Sequence, residues 1–491
     1  MHRSAPYLPF RRFVSCVLLL LCVFAGDLRA QLANPYDYPV LSHLAHQRLR
    51  DSLKKSWSVP AAFKDKETQK KFREFWEGRT EFVVNAIENK DFIEEQELHA
   101  FIDGIVSQIC AANKDLIPQK PVLLIDRSAS VNAYSVGGHL IAVNLGLITF
   151  ARSREEIALV IAHELSHDIL DHAGRSMRER AEWLTSDEYK KSLNEVLDSR
   201  YERFTRLKKV LEGYTFSRTR HNRYHEGEAD SLAVVLLKKG KIAFDPACFL
   251  RLDSSDMQYQ RPLAQPVKAY FTALGLPFED SWARKATKGL SARNFNFNKG
   301  KENADSLKTH PDCKDRYTRT LPWSTVSGPL TPVPASVQAK ASKIILWNLF
   351  DNQSLTACLY RLLQERDSGN NDAWYTFMMH NVFFGLFYSD NELNRFNVVK
   401  IRPKEDVAPS YFELQTMLEQ MPRESLEQYY RHFGAQAFWQ ELPADARGLK
   451  PLYATLLQKE GTPKEREAAA RTFKMAHPKS MYCEFAEHFS K

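Results

Sequence analysis

The sequence predicts an α+β fold, mostly α: a small sheet beside two site-bearing helices, then a helical C-terminal domain. Three observations carry this. Apolar residues recur at helical spacing over most of the chain. Two short apolar runs, 121–126 and 139–144, have the length of strands, and Gly137-Gly138 between them is a tight-turn signal. One helix carries His163-Glu164-Leu165-Ser166-His167, and a second carries Glu226 and Asp230 on one face.

The 491 residues allow two or three domains. Basic residues His2, Arg3, Arg11 and Arg12 precede the apolar run 13–25, and Leu28-Arg29-Ala30 offers a small residue at a cut before Gln31. Residues 1–30 therefore read as a secretory signal, which places the remainder in the periplasm or outside the cell. A mitochondrial transit peptide and an uncleaved anchor are the alternatives. No later run is long and apolar enough to span a bilayer, so membrane contact is at most peripheral. Losing residues 1–30, with four Arg and Asp27, lowers the formal net charge from +8 to +5. That is mild for this length and gives no case for nucleic acid. Cys110, Cys248, Cys313, Cys358 and Cys483 remain, in no metal-type spacing. Cys110 falls on the apolar face of a helix with Leu98, Phe101, Ile102, Ile105, Val106 and Ile109; one disulfide among the others is allowed.

Residues 31–95 form a charged helical lead-in, with His43 and His46 read as surface residues. Ser153-Arg154-Glu155-Glu156 is a capping box, and Ile157, Val160, Ile161, Leu165 and Ile169 form the apolar stripe of the helix it opens. Over 186–214, residues Leu193, Val196, Leu197, Tyr201, Phe204 and Leu207 lie among charges and predict an inserted helix packed beside the active-site pair. Leu232, Ala233, Leu236 and Leu237, then Lys238, Lys239 and Gly240, mark the second site helix and its end. Four prolines over 322–340 predict a linker. Residues 341–491 are helical again, without a convincing fixed repeat, and their aromatics (Trp374, Phe377, Phe383, Phe384, Phe387, Trp439) read as core.

His163 and His167, four apart on a helix, lie about 40° apart around its axis and one turn along it, so both imidazoles reach one metal ion. Glu164 lies beside the open coordination position, where it can take a proton from water. A zinc site needs a third protein ligand and, for catalysis, a free vertex. Glu226 can be that ligand while Asp230 holds a neighbouring group in place. Glu228 points about 200° away from Glu226 and is the poorer ligand. The segment alone leaves open a merely solvated acidic helix start.

These motifs resemble a known family. HELSH, then Ser217-Arg218 leading into Glu226-x-x-Ala229-Asp230, is similar to the zinc metallopeptidases that include the CAAX prenyl protease, HtpX and the mitochondrial OMA-type protease. The likeness extends upstream to Asn132-Ala133-Tyr134 and Gly137-Gly138, and downstream to Thr309-His310-Pro311 and Arg316. It covers residues 96–321. It implies a zincin-like metallopeptidase core with one zinc ion held by His163, His167 and Glu226, and Glu164 as general base. Asp230 matches the family's helix aspartate, a proton donor or an orienting group. His310 is the first choice for an oxyanion donor, with Tyr224 and Arg218 as local candidates; it can instead occupy the fourth zinc position, or be a plain loop histidine.

The resulting expectation is an exported zinc endopeptidase acting on misfolded or unassembled polypeptides. An edge strand before the HEXXH helix suits pairing with an extended substrate backbone. The alternative is a periplasmic chaperone or assembly factor that binds protein partners through the C-terminal helices and cleaves little.

Overall fold

The computed structural model describes residues 43–199, 201–253, 259–284 and 313–490. The expected signal 1–30 and His310 lie outside the described residues, as do the side chains of His43, His46, Arg218 and His221. The fold is α+β, mostly α, as the periodicity predicts.

The lead-in forms α1 (His43–Ser56) and α2 (Lys66–Glu88), the latter capped by the Asp65 carboxylate accepting from Thr68 N at 2.7 Å. Then come β1 (Phe92–Ile93), α3 (Gln96–Ala112), β2 (Val122–Asp126), β3 (Ala133–Ser135), β4 (Leu140–Asn144) and α4 (Leu145–Phe150). The sheet order is β1-β2-β4-β3. β2 and β4 are parallel neighbours, with Val122 opposite Leu140 and Asp126 opposite Asn144. The two apolar runs therefore do not form a hairpin with each other. β3 hairpins onto β4, Ala133 facing Val143, and is one of the two outer strands, β1 being the other.

Alternation along the strands decides which side chain enters which core. Leu124, Leu140 and Ala142 face Leu53, Trp57, Val83 and Ile87 of the lead-in. Leu123, Ile125, Ile141 and Val143 face the main core with α3. Lead-in and sheet also meet at the β3–β4 turn, where Gly137, Gly138 and His139 all have positive φ. The Trp57 indole donates to Gly138 O at 3.3 Å, and it fills the space a Cβ on Gly138 would need.

The HEXXH helix is α5 (Arg154–Ile169), capped by Ser153 accepting from Glu156 N at 3.2 Å. The predicted box closes one residue early: the Glu156 carboxylate accepts from Arg152 N, not Ser153 N, and also pairs with Arg251. Ile157, Ile161 and Leu165 are fully buried, each contributing about 1.5–3 kcal/mol.

α6 (His172–Thr185) and α7 (Asp187–Asp198) follow, then α8 (Arg203–Lys239), which packs along α5. The predicted inserted helix is thus two pieces. Glu202, left-handed at φ 56°, separates them, and the second runs unbroken into the Glu226 segment because 203–239 contains no proline. Where it is described its stripe is only partly packed, with Leu193 and Leu207 half-buried. Val196 is buried, but Leu197, Tyr201 and Phe204 are 55%, 80% and 81% exposed.

Three short helices, α9 (Ala247–Leu252), α10 (Val267–Ala273) and α11 (Cys313–Thr320), lead to the proline-rich stretch. That stretch is docked. Pro332 bridges to Ser153, and Arg154 N donates to Thr331 O at 2.8 Å, right at the start of the HEXXH helix. α12 (Ala335–Asp351) begins inside the range expected as linker. The chain ends with α13 (Leu355–Asp367), α14 (Ala373–Asn391), α15 (Arg395–Val399), α16 (Pro409–Gln420), α17 (Arg423–Gly434), α18 (Ala444–Leu456), α19 (Pro463–Ala476) and α20 (Cys483–Glu487). Trp374, Phe377, Phe383, Phe384, Phe387 and Trp439 are all buried there. One apolar cluster runs from α3 and α5 through α12 to Ala486. No disulfide joins any of the five described cysteines, and no described helix is long and apolar enough to cross a membrane.

Candidate metal centre

α5 and α8 bring three expected ligands together. His163 Nε2 and His167 Nε2 lie 3.0 Å apart. They are 3.3 and 3.4 Å from the two carboxylate oxygens of Glu226. Three ligands about 2.0–2.2 Å from one tetrahedral zinc ion lie roughly 3.4 Å from each other. Donor types and spacing therefore fit zinc, and all three side chains are wholly or largely buried.

The electrostatics also suit a cation. Burial alone would lower the His163 pKa, yet its hydrogen bonds to Asp230 and Glu226 raise it to about 9. A pocket that draws a positive charge onto a buried ring is one that favours a cation.

Asp230 is fully buried and holds the site from behind. His163 Nδ1 lies 3.1 Å from its Oδ1. Arg316 donates through Nε at 3.0 Å and Nη2 at 2.6 Å, and Arg319 Nη2 at 2.6 Å. Burial pushes the Asp230 pKa up, but His163 and Arg316 outweigh it and hold the group well below the usual carboxylate range. The Asp230 carboxylate thus sits between His163 and the two arginines, and it is not among the residues lining the pocket on the open side. Arg316 stacks on Phe249, its guanidinium carbon 4.3 Å from the ring centre.

On the open side lies a pocket of about 290 Å³, lined by Tyr134, Ser135, Glu164, His167, His225 and Glu226 among others. Glu164 accepts from the backbone N–H of Ser135 at 3.0 Å, which ties it to the outer strand β3. His139 N and Nδ1, at the β3–β4 turn, both approach the carboxylate of Asp168 on the HEXXH helix. Of the oxyanion candidates, Tyr224 is 65% exposed and outside this pocket, while His310 and the Arg218 side chain lie outside the described residues.

Sequence reasoning does not reach His172. It lies three residues past the end of α5, and only the left-handed Asp171 (φ 49°) turns the chain back so that its ring meets His167, Nδ1 to Nδ1, at 2.7 Å. Burial, then the neighbouring His167 and His225, lower the His172 pKa to about 4. Glu228, set aside as a ligand by helix geometry, pairs with His172 instead, its Oε2 3.3 Å from His172 Nε2.

Residues 93–322 match peptidase family M48. The match covers just under half of the chain. The matched span includes Ile93 of β1, the rest of the sheet, and both site helices. A stretch of 93 residues is also 32% identical to a protein of Vibrio cholerae serotype O1 named as a beta-barrel assembly-enhancing protease. That match covers 19% of this chain and 19% of the relative's length. The lead-in helices α1 and α2 and all of the C-terminal helices α12–α20 lie outside the matched span.

Proposed function

We propose that this chain is a zinc-dependent endopeptidase, with zinc held by His163, His167 and Glu226. The observation that carries this is the convergence of two imidazole nitrogens and one carboxylate at 3.0–3.4 Å, beside a pocket that also holds Glu164. Zinc bound there supplies Lewis acidity, which activates water and polarises the scissile carbonyl. Glu164 takes the proton of the attacking water and returns it to the leaving amine. Ser135 N–H orients the Glu164 carboxylate. Asp230, fixed by Arg316 and Arg319, orients His163. β3, the outer strand next to Glu164, pairs with an extended substrate backbone, which gives affinity with little sequence preference.

The substrates in this reading are exported polypeptides that are misfolded or not yet assembled. The signal-like N-terminus supports export, and the name of the Vibrio relative links that protein to barrel assembly. Zinc assay of the purified chain and of Glu226→Ala tests the centre. One zinc per chain is expected, and binding weakened by at least 100-fold in the variant, since a ligand is lost outright. Chelation abolishes casein digestion and added zinc restores it. Unchanged zinc affinity in Glu226→Ala rejects this ligand set.

A further inference from the structure

The two imidazole ligands are anchored in different ways. His163 Nδ1 meets a carboxylate directly, Asp230 Oδ1 at 3.1 Å. His167 Nδ1 instead meets a second imidazole, His172 Nδ1, at 2.7 Å. Two ring nitrogens that close share a hydrogen bond only when one carries the proton and the other the lone pair. A neutral imidazole has one lone pair. If His167 Nε2 gives its pair to the metal, its Nδ1 must carry the proton. His172 Nδ1 is then the acceptor, and the His172 proton sits on Nε2. That nitrogen lies 3.3 Å from Glu228 Oε2, which also receives Arg175 Nη2 at 3.3 Å. Every proton in the row has one place, and the row ends on a carboxylate balanced by an arginine.

We propose that His172 is a positioning residue for the metal centre: it accepts the His167 Nδ1 proton, fixes His167 with Nε2 toward the metal, and is itself fixed by Glu228. This rests on the ligand set proposed above. His172 is held rigidly enough for the task. It is 4% exposed, and its ring stacks on His225 with centroids 4.3 Å apart and planes 14° apart. Gly174 leaves room for the Asp171 carboxylate, which occupies the space of a Cβ there. Glu226, Glu228 and Asp230 then divide three tasks on one helix. Glu226 faces the metal, Asp230 orients one histidine directly, and Glu228 orients the other through His172.

His172, His225 and Glu228 also offer three donor atoms within 4.8 Å of one another, the makings of a second ion site. Two features oppose it. The near-parallel stacked rings aim their in-plane lone pairs side by side, whereas a tetrahedral ion needs them to converge. A metal on His172 Nε2 would also put a proton on Nδ1, facing the proton on His167 Nδ1 across 2.7 Å.

The test measures zinc affinity of the full chain by competition with a chromogenic chelator, zinc stoichiometry, and the visible spectrum of the cobalt-loaded protein. His172→Phe keeps a stacking ring but removes the acceptor. It is expected to weaken zinc about 10–100-fold, the usual cost of losing an outer partner of a ligand, and to shift the cobalt bands. His172→Asn places an amide oxygen where Nδ1 stood, and is expected to recover most of the affinity. Glu228→Ala gives a smaller loss in the same direction, and carries the test if His172→Phe does not fold. Equal affinity in wild type, His172→Phe and Glu228→Ala overturns the proposal and leaves the ligand set standing. So does equal loss in the Phe and Asn variants, which would mark a packing role only. Two zinc ions per wild-type chain, falling to one in His172→Phe, also overturn it, in favour of the second site. Absence of any zinc in the wild-type chain overturns both this proposal and the centre it rests on.

Discussion

Glu164→Gln is expected to abolish casein digestion while zinc stays bound. The amide has the shape of the carboxylate and its oxygen can still accept from Ser135 N–H, so the outer strand and the HEXXH helix keep their relation. Glutamine cannot take a proton from water. Loss of a positioned general base costs about 10²–10⁴-fold in turnover. The measurement is initial rate on an unfolded protein at saturating zinc, alongside metal content. Near wild-type hydrolysis in Glu164→Gln would remove Glu164 from the chemistry. If hydrolysis is lost but the variant still performs the protein's task in cells, the chaperone reading gains and the peptidase reading of that task fails.

The largest effect on stability is expected at Asp230. This side chain is fully buried and takes hydrogen bonds from Arg316, Arg319 and His163. Asp230→Ala leaves the buried Arg316 guanidinium without its partner. Breaking a buried pair in this way costs about 3–5 kcal/mol. A large drop in the urea midpoint is expected, with weaker zinc binding because His163 loses its anchor. Asp230→Asn keeps an acceptor for His163 but not the charge, so it should recover zinc affinity more than stability. Equal midpoints for wild type and Asp230→Ala would show that Arg316 is compensated elsewhere.

How much of this the sequence shows depends on how local each feature is. His163, Glu164 and His167 sit together by helix spacing alone: Glu164 and His167 line the pocket, and His163 Nε2 lies 3.0 Å from His167 Nε2. Glu226 and Asp230 share a face because they are four apart on α8, and that face meets His163. The strand segments are readable from their apolar runs; their order is not, because alternation gives a strand its faces and not its neighbours. A hairpin and the parallel β2–β4 pair look the same at that level. The continuity of α8 is hidden by charge, since a stripe with exposed Tyr201 and Phe204 imitates the start of a packed inserted helix. The contact of Arg316 with Asp230 and the place of His172 are the least readable. The first spans 86 residues, and the second depends on one left-handed residue after a helix end.

The docked proline segment has a practical consequence for anyone dissecting this protein. A gene cut at residue 322 would respect the boundary of the family match, yet it would strip Thr331 and Pro332 from the front of the HEXXH helix and pull α12 out of a shared oily interior. The half that carries the HEXXH helix has no finished surface on that side. Its tail is a wall of the same room, and a minimal soluble fragment has to keep it.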